Sequence, residues 1–85
     1  MKYLIGDLLT LGNEKYVVIE GLNHENNNYV FVNKILDGDI TDEFYILEIK
    51  EDESIEIVVE NNLKNILMSK FEKILQKDVS EILGV

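Results

Sequence analysis

Apolar residues alternate with polar ones, or cluster in short runs, from residue 3 to residue 59, and turn-forming residues separate the runs. This pattern is typical of β-strands. It predicts strands over residues 8–11, with a start as early as Tyr3 left open, and over residues 15–22, 29–35, 44–49 and 55–59. Because every connection is short, consecutive strands are expected to pair antiparallel as a β-meander of four to five strands.

The spacing of apolar residues changes after residue 60. From there they recur at steps of three and four residues, at Leu63, Ile66, Leu67, Phe71, Ile74 and Leu75. A stripe of this kind is typical of an amphipathic helix that covers a sheet. We therefore predict a C-terminal helix over residues 60–77, with Asn61 or Asn62 as its N-cap.

The same stripe predicts that this helix does not run straight to the end of the chain. Its apolar pairs recur every eight residues, which turns the stripe by about 80° each time at 100° per residue. Asp78 followed by Glu81 resembles a capping box, so we predict a break near Lys77 and a short second helix over residues 78–84. The prediction is one α+β domain over residues 1–85, with the sheet in residues 1–59.

The predicted strands differ in how many of their faces are apolar. The last one is one-sided, with Ile55, Ile57 and Val59 opposite Glu56 and Glu60. The middle strands carry apolar residues on both faces, and one helix does not cover both. The sheet must therefore curl towards a small barrel or bury its second face against another molecule.

Three tyrosines of the middle strands, Tyr16, Tyr29 and Tyr45, are candidates for an interface on that second face. Tyrosine suits such a place because its ring is apolar and its hydroxyl is polar. The alternative is that these rings complete a curled core. If the sheet stays open, a homodimer through like faces is the expected outcome.

Charge is distributed unevenly along the chain. The net charge is −9, and residues 37–60 hold ten carboxylates against Lys50 alone, while the charges of the remaining residues cancel. A charge confined to one stretch attracts cations and basic surfaces and repels nucleic acid and anionic lipid. Nine of these carboxylates are our candidates for partner binding: Asp37, Asp39, Asp42, Glu43, Glu48, Glu51, Asp52, Glu53 and Glu56.

The acidic stretch has two interpretations. Carboxylates on turns and on a terminal strand prevent edge-to-edge aggregation, and that role alone would account for them. Alternatively, they dock on a basic protein surface. A folded chain with ten carboxylates on one side imitates the field of B-form DNA and fits a cleft that binds nucleic acid. On this interpretation the partner is a nucleic-acid-binding protein, and direct binding to nucleic acid is not expected.

The residues that usually carry catalysis or metal binding are sparse. There is no cysteine, and His24 is the only histidine, so we predict a solvated turn residue there. Thr10, Thr41 and Ser54 lie in no nucleophile motif. The acids around Gly38 do not follow the spacing of an EF-hand loop. We therefore predict no catalytic residue, no metal and no cofactor, and a protein that is not an enzyme.

The cellular setting is predicted from what the chain lacks and from its composition. No apolar run approaches the ~20 residues of a membrane span, and the first residues lack the features of a signal peptide. The predicted location is the cytoplasm. Nine Asn, eleven Ile and only lysine as a basic residue favour an AT-rich genome, as in low-GC bacteria or their phages.

Residues 9–18 and residues 60–71 resemble the YrzB-like family of small acidic bacterial proteins. The shared pattern is a strand, a turn ending in Lys-Tyr, a β-meander, an acidic turn and a final amphipathic helix. The likeness covers about residues 7–75 and departs in the Asn-rich turn and in residues 79–85. This resemblance implies a low-GC bacterial or phage setting, and it implies no functional residues because the family has no assigned activity.

In size and charge the chain also looks like phage-encoded inhibitors of host defence, among them anti-CRISPR proteins. The leading hypothesis from the sequence is therefore a non-catalytic acidic module that inhibits or regulates a basic nucleic-acid-binding protein by charge mimicry. The alternative is a housekeeping YrzB-like protein that self-associates through its sheet, with acids that serve only solubility. Both hypotheses require the same fold.

Overall fold

The chain forms an antiparallel sheet with a helix packed on one face, in an α+β arrangement. The computed structural model describes the backbone of residues 3–83 and the side chains of residues 3–76. The strands follow in the order β1-β2-β3-β4-β5, so each pairs with its neighbours along the chain and the predicted β-meander is confirmed. The elements are β1 (Leu8–Leu11), β2 (Glu14–His24), β3 (Asn27–Leu36), β4 (Asp39–Ile49), β5 (Ile55–Ile57) and α1 (Asn61–Leu83).

Two-residue turns make the central strands longer than predicted. Glu25 and Asn26 have φ angles of 50° and 66°, and Asp37 and Gly38 have φ angles of 53° and 82°. Two consecutive positive φ angles are the pattern of a type I′ turn, whose twist matches that of the strands it joins. The polar residues that the sequence placed in loops, 23–28 and 37–42, are therefore mostly strand.

One face of the sheet buries its side chains without help from the helix. We call this group the curled core; it consists of Leu9, Tyr16, Val18, Val30, Val32, Leu47 and Ile49. Val30, Val32 and Leu47 are fully buried there. Because α1 packs on the opposite face, the sheet itself must curl around these residues, with Tyr3 and Ile55 packed against them. The curled sheet was one of the two arrangements that the sequence left open.

The other face packs against α1. This helix-side core consists of Tyr29, Phe31, Ile46, Val58, Leu67 and Phe71. The ring of Phe71 meets the ring of Phe31 edge to face, with centroids 5.3 Å apart. Leu67 and Phe71 are four residues apart and lie on one side of the helix, as the apolar stripe predicted.

The end of the sheet differs from the prediction. β5 stops at Ile57, and Val58, on the face opposite Ile55 and Ile57, is only 8% exposed and packs beneath the helix. Val59, predicted to be buried, is 76% exposed. Val58 continues the ladder through the bond from its N–H to the carbonyl of Ile46, so it lies on the face of Ile46, where α1 packs. The chain leaves the sheet beyond Val58, and Val59 therefore has no strand face to be buried on.

The N-cap of α1 is Glu60 rather than an asparagine. Its carboxylate accepts hydrogen bonds from the backbone N–H groups of Asn62 at 3.0 Å and Leu63 at 2.6 Å. A carboxylate at this position satisfies N–H groups that have no partner inside the helix and also interacts favourably with the helix dipole. Glu60 therefore has a structural role.

The predicted second helix is wrong, because α1 is one helix over Asn61–Leu83. No glycine or proline interrupts this segment, and each residue added to a formed helix gains a backbone hydrogen bond. The helix therefore continues although its apolar stripe rotates. Residue 84, the last of the predicted second helix, lies outside the described residues.

Candidate functional site

The acidic stretch does not form one continuous surface. Strand β4 carries it from one end of the sheet to the other, and its 11 residues span about 35 Å at ~3.3 Å per residue. The bulge cluster lies where β3 turns into β4 and consists of Asp37, Asp39, Asp42 and Glu43. The turn cluster lies around the opposite end, where β4 turns into β5, and consists of Glu48, Glu51, Asp52, Glu53 and Glu56. The sheet therefore separates the nine predicted partner-binding residues into two groups.

A β-bulge shapes the bulge cluster. Within the β3–β4 ladder, β4 has residues 41–43 where β3 has Lys34 alone. The buried amide of Asn33 donates to the carbonyl of Thr41 at 2.8 Å, and the hydroxyl of Thr41 donates to the carbonyl of Lys34 at 2.8 Å. A bulge redirects the side chains of its strand, and both carboxylates within residues 41–43 are exposed.

Local contacts occupy much of the turn cluster. The ammonium of Lys50 lies 2.7 Å from a carboxylate oxygen of Glu56, and the hydrogen bond to Glu56, then the charges of Glu56 and Glu48, raise the pKa of Lys50. The carboxylate of Asp52 accepts bonds from the hydroxyl of Ser54 at 2.6 Å and its N–H at 3.0 Å. These bonds lower the pKa of Asp52. Part of this cluster therefore stabilises its own turn.

Strand β4 extends beyond the end of its outer neighbour. β5 pairs with it only at residues 47–49, and the last bond on this side runs from the N–H of Val58 to the carbonyl of Ile46 at 2.9 Å. Among the described residues, no strand pairs with β4 on this side over residues 39–45. The backbone groups of Phe44 point the same way as those of Ile46, because alternate residues of a strand face the same edge. This stretch is an unpaired sheet edge.

An apolar cleft of about 350 Å³ opens between this edge and α1. We call it the edge cleft; it is lined by Phe44, Tyr45, Ile46, Ile57, Val58, Val59, Lys64 and Met68. Val59 is 76% exposed and Phe44 is 52% exposed. Exposed apolar side chains grouped in a cleft are typical of a binding surface. The cleft adjoins the bulge cluster, since Phe44 directly follows Glu43 in β4.

The three tyrosines proposed as an interface do not lie together on one surface. Tyr16 is 3% exposed in the curled core, and Tyr29 is 2% exposed in the helix-side core. Tyr45 is half-buried, and its ring meets that of Tyr16 edge to face with centroids 5.7 Å apart. The placement of Tyr16 and Tyr29 follows the alternative in which these rings complete the core.

His24 lies at the end of β2 and has a close partner on the helix. Its side chain is 13% exposed, and its Nδ1 lies 2.7 Å from the ammonium of Lys70. His24 therefore contributes to the contact between helix and sheet, and the prediction of a solvated turn residue is wrong.

The remaining candidate groups have structural contacts. Within the part of the chain that the structure describes, no group of three or more His, Asp and Glu side chains is placed to hold a metal ion. The hydroxyls of Thr41 and Ser54 are used in the bulge and in the turn. In residues 3–83 no helix is long and apolar enough to cross a membrane. The described surface offers charge, apolar area and an unpaired strand edge.

Comparison with models of protein families, with curated proteins and with solved structures found no match to this chain. The resemblance to the YrzB-like family therefore stays a prediction from the sequence. The function of this chain must be argued from its own residues.

Sequence reasoning missed the edge cleft. It placed Val59 in the last strand, which would have closed the space beside β4 with a fifth strand of five residues instead of the three observed. One signal was available: Glu60, Asn61 and Asn62 are polar residues that precede the apolar stripe of the helix, and such a run indicates that the strand ends before it.

Proposed function

We propose that this protein is a non-catalytic binding module that docks on a basic surface of another protein. The observation that carries the proposal is the position of the bulge cluster beside the edge cleft. Interfaces combine an apolar centre with a polar rim, and opposite charges at the rim increase the rate of encounter. The exposed side chains of Phe44 and Val59 supply the apolar centre. The carboxylates of the bulge cluster supply the charged rim.

The net charge of −9 favours one class of partner. Nucleic-acid-binding proteins present clustered lysine and arginine, and an acidic protein that occupies such a surface inhibits or regulates its partner. Glu43 and Glu48, the nearest members of the two acidic clusters, are five residues apart in β4, about 17 Å at ~3.3 Å per residue. Because of this gap, docking at one cluster suits the fold better than a continuous imitation of the DNA backbone.

Two variants with equal loss of charge test the proposal. The first neutralises the bulge cluster with Asp39→Asn, Asp42→Asn and Glu43→Gln. The control neutralises three exposed acids at the opposite end of the sheet with Glu25→Gln, Glu51→Gln and Glu53→Gln. Each removes three negative charges, so an effect of net charge alone would be the same in both.

The tagged protein is used to capture partners from a lysate of the native host, and the captured protein is then purified for binding kinetics. We expect a basic protein whose association is about tenfold slower with the bulge-cluster variant than with the control, with a smaller salt dependence. If both variants retain the same protein equally, docking at the bulge cluster is excluded. If no basic protein is captured, the proposed function is wrong.

A further inference from the structure

We infer that the edge cleft binds an extended basic segment of the partner protein, which adds to the sheet as a strand beside β4. This inference rests on the proposed function and names its ligand and its mode of binding. It is carried by the unpaired edge of β4 together with the apolar cleft that lies along it.

The backbone of β4 is prepared for such a strand. β5 pairs with residues 47–49 and then leaves the sheet, so the next positions along β4 are those that a continuing strand would occupy. The unpaired stretch over residues 39–45 contains the bulge and lies opposite residues 32–36 of β3, so it is about 17 Å long at ~3.3 Å per residue. A segment of about five residues fits it, and a heptapeptide covers it. An unpaired edge supplies main-chain hydrogen bonds to an added strand.

The side chains define what such a segment must contain. Successive side chains of a strand point to opposite faces, so every second residue of the segment faces the cleft beside Phe44, Val59 and Met68. Those residues should be apolar. The remaining residues face the opposite side of the sheet, where Glu43 lies near Lys34, and should be basic. The expected ligand therefore alternates apolar residues with lysine or arginine.

The carboxylates of the bulge cluster disfavour the other obvious occupant, a second copy of this chain. An unpaired edge invites pairing with an identical edge, and charged residues along it are a common protection. Two copies would bring two bulge clusters together, whereas a basic segment neutralises one. Charge at the edge therefore selects the ligand as well as preventing aggregation.

Binding of a synthetic heptapeptide that alternates valine and lysine, acetylated and amidated, tests the inference. Titration of the protein is followed by the amide NMR signals of Phe44 and its neighbours. We expect saturable shifts with this peptide and none with the matched peptide of valine and glutamate. Absence of binding by the basic peptide at millimolar concentration would overturn the inference.

Backbone methylation separates strand addition from attraction by charge. Of two further peptides, one carries N-methyl groups on its valines and the other on its lysines. Each therefore lacks the backbone N–H donors along one edge of the peptide strand. Because only one edge of an added strand pairs with β4, we expect one of the two to bind at least tenfold more weakly than the other. Equal binding of both would exclude strand addition, while the proposed docking of a basic partner would still be tested by its own capture experiment.

Variants of the protein locate the peptide. Val59→Asn removes an exposed apolar side chain from the cleft and should weaken binding about tenfold, by the value of a buried valine side chain. Ile66→Asn removes an exposed apolar residue from α1 outside the cleft and is the matched control. Equal effects of the two would place the peptide elsewhere.

Lys64 contributes a positive charge to the wall of the cleft. Lys64→Gln should therefore strengthen binding of the basic peptide about twofold to threefold, and weaker binding would contradict a position beside α1.

Sedimentation of the free protein tests whether a second copy of this chain occupies the edge cleft. A dimer at tens of micromolar that the basic peptide does not dissociate would overturn the inference.

Discussion

The two faces of the sheet reach burial by different means. The curled core is closed by the sheet itself, and its central residues, Val30, Val32 and Leu47, are fully buried without the helix. The helix-side core depends on Leu67 and Phe71 of α1. A strand that is apolar on both faces therefore does not require two covering layers, because curling buries one face and leaves the single helix for the other.

The face that the helix buries is covered less completely than the face that the sheet buries by curling. An α-helix is about 10 Å wide, whereas the long strands span about 35 Å, so α1 covers only part of its face. Phe44, Ile40 and Leu8 point to the same face as the helix-side core and are exposed. The face closed by the helix is therefore the one that has apolar surface left for a partner.

The largest effect is expected from truncation of the helix-side core. Phe71→Ala removes a fully buried ring and should decrease the free energy of unfolding by ~3 to 5 kcal/mol, because the neighbouring side chains cannot close the cavity. Urea unfolding measures this. Ile66→Ala on the exposed side of the same helix is the control and should change stability by less than about 0.5 kcal/mol. A midpoint close to that of the wild type would show that the helix does not stabilise this face.

A second truncation tests the curled core. Leu47→Ala should destabilise the protein by ~2 to 5 kcal/mol, since Leu47 is fully buried on the face without a helix. Leu36→Ala, an exposed leucine of β3, is the matched control. If Leu47→Ala lost no more stability than Leu36→Ala, the curled core would be loosely packed. The two faces would then differ in packing as well as in how they are closed.

A smaller loss of stability is expected from removal of the N-cap of α1. Glu60→Ala removes the carboxylate that accepts bonds from the N–H groups of Asn62 and Leu63 and should cost about 0.5 to 2 kcal/mol. Glu72→Ala, in the middle of α1, removes the same charge without a capping bond. Urea unfolding of both variants measures the difference. Equal stability of the two would show that the cap contributes nothing to the helix-side core.

The smallest effect concerns pH and the curled core. Burial, with smaller contributions from the charges of Glu14 and Tyr45, raises the pKa of Tyr16 above its ordinary value of 10.0. A phenol whose pKa is raised by folding stabilises the protein fully below its unfolded pKa, and this stabilisation is lost as pH rises through the folded pKa. Tyr16→Phe should therefore lose less stability than the wild type between neutral pH and alkaline pH. Unfolding at both pH values measures this, and equal losses would contradict the burial of Tyr16 in the curled core.

The sequence predicted the parts of the fold that depend on local periodicity. Alternation placed β1 at residues 8–11, where the structure has it, and the stripe through Leu67 and Phe71 identified the covering helix. It also showed that the middle strands are apolar on both faces. These features follow from side-chain direction within an element, which a sequence displays directly.

The features that the sequence did not predict depend on contacts between elements. The continuation of α1 past Lys77 follows from helix propagation, which a capping pattern did not interrupt. The end of β5 at Ile57 is set by the path of the chain to the helix face. The edge cleft is open because β5 ends at Ile57. The sequence therefore predicted only the acidic half of the candidate site, the bulge cluster.

The meander has a consequence for how the protein folds. Every strand pairs with its neighbour in sequence, so the sheet assembles without closing a long loop, and the entropic cost of each pairing is small. Proteins rich in such local contacts fold faster than sheets built from distant segments. The β2–β3 and β3–β4 hairpins each join long strands through a two-residue turn, so they close the shortest loops between long strands. We expect these hairpins to form early, and the helix to complete the fold by docking on a sheet that is already assembled.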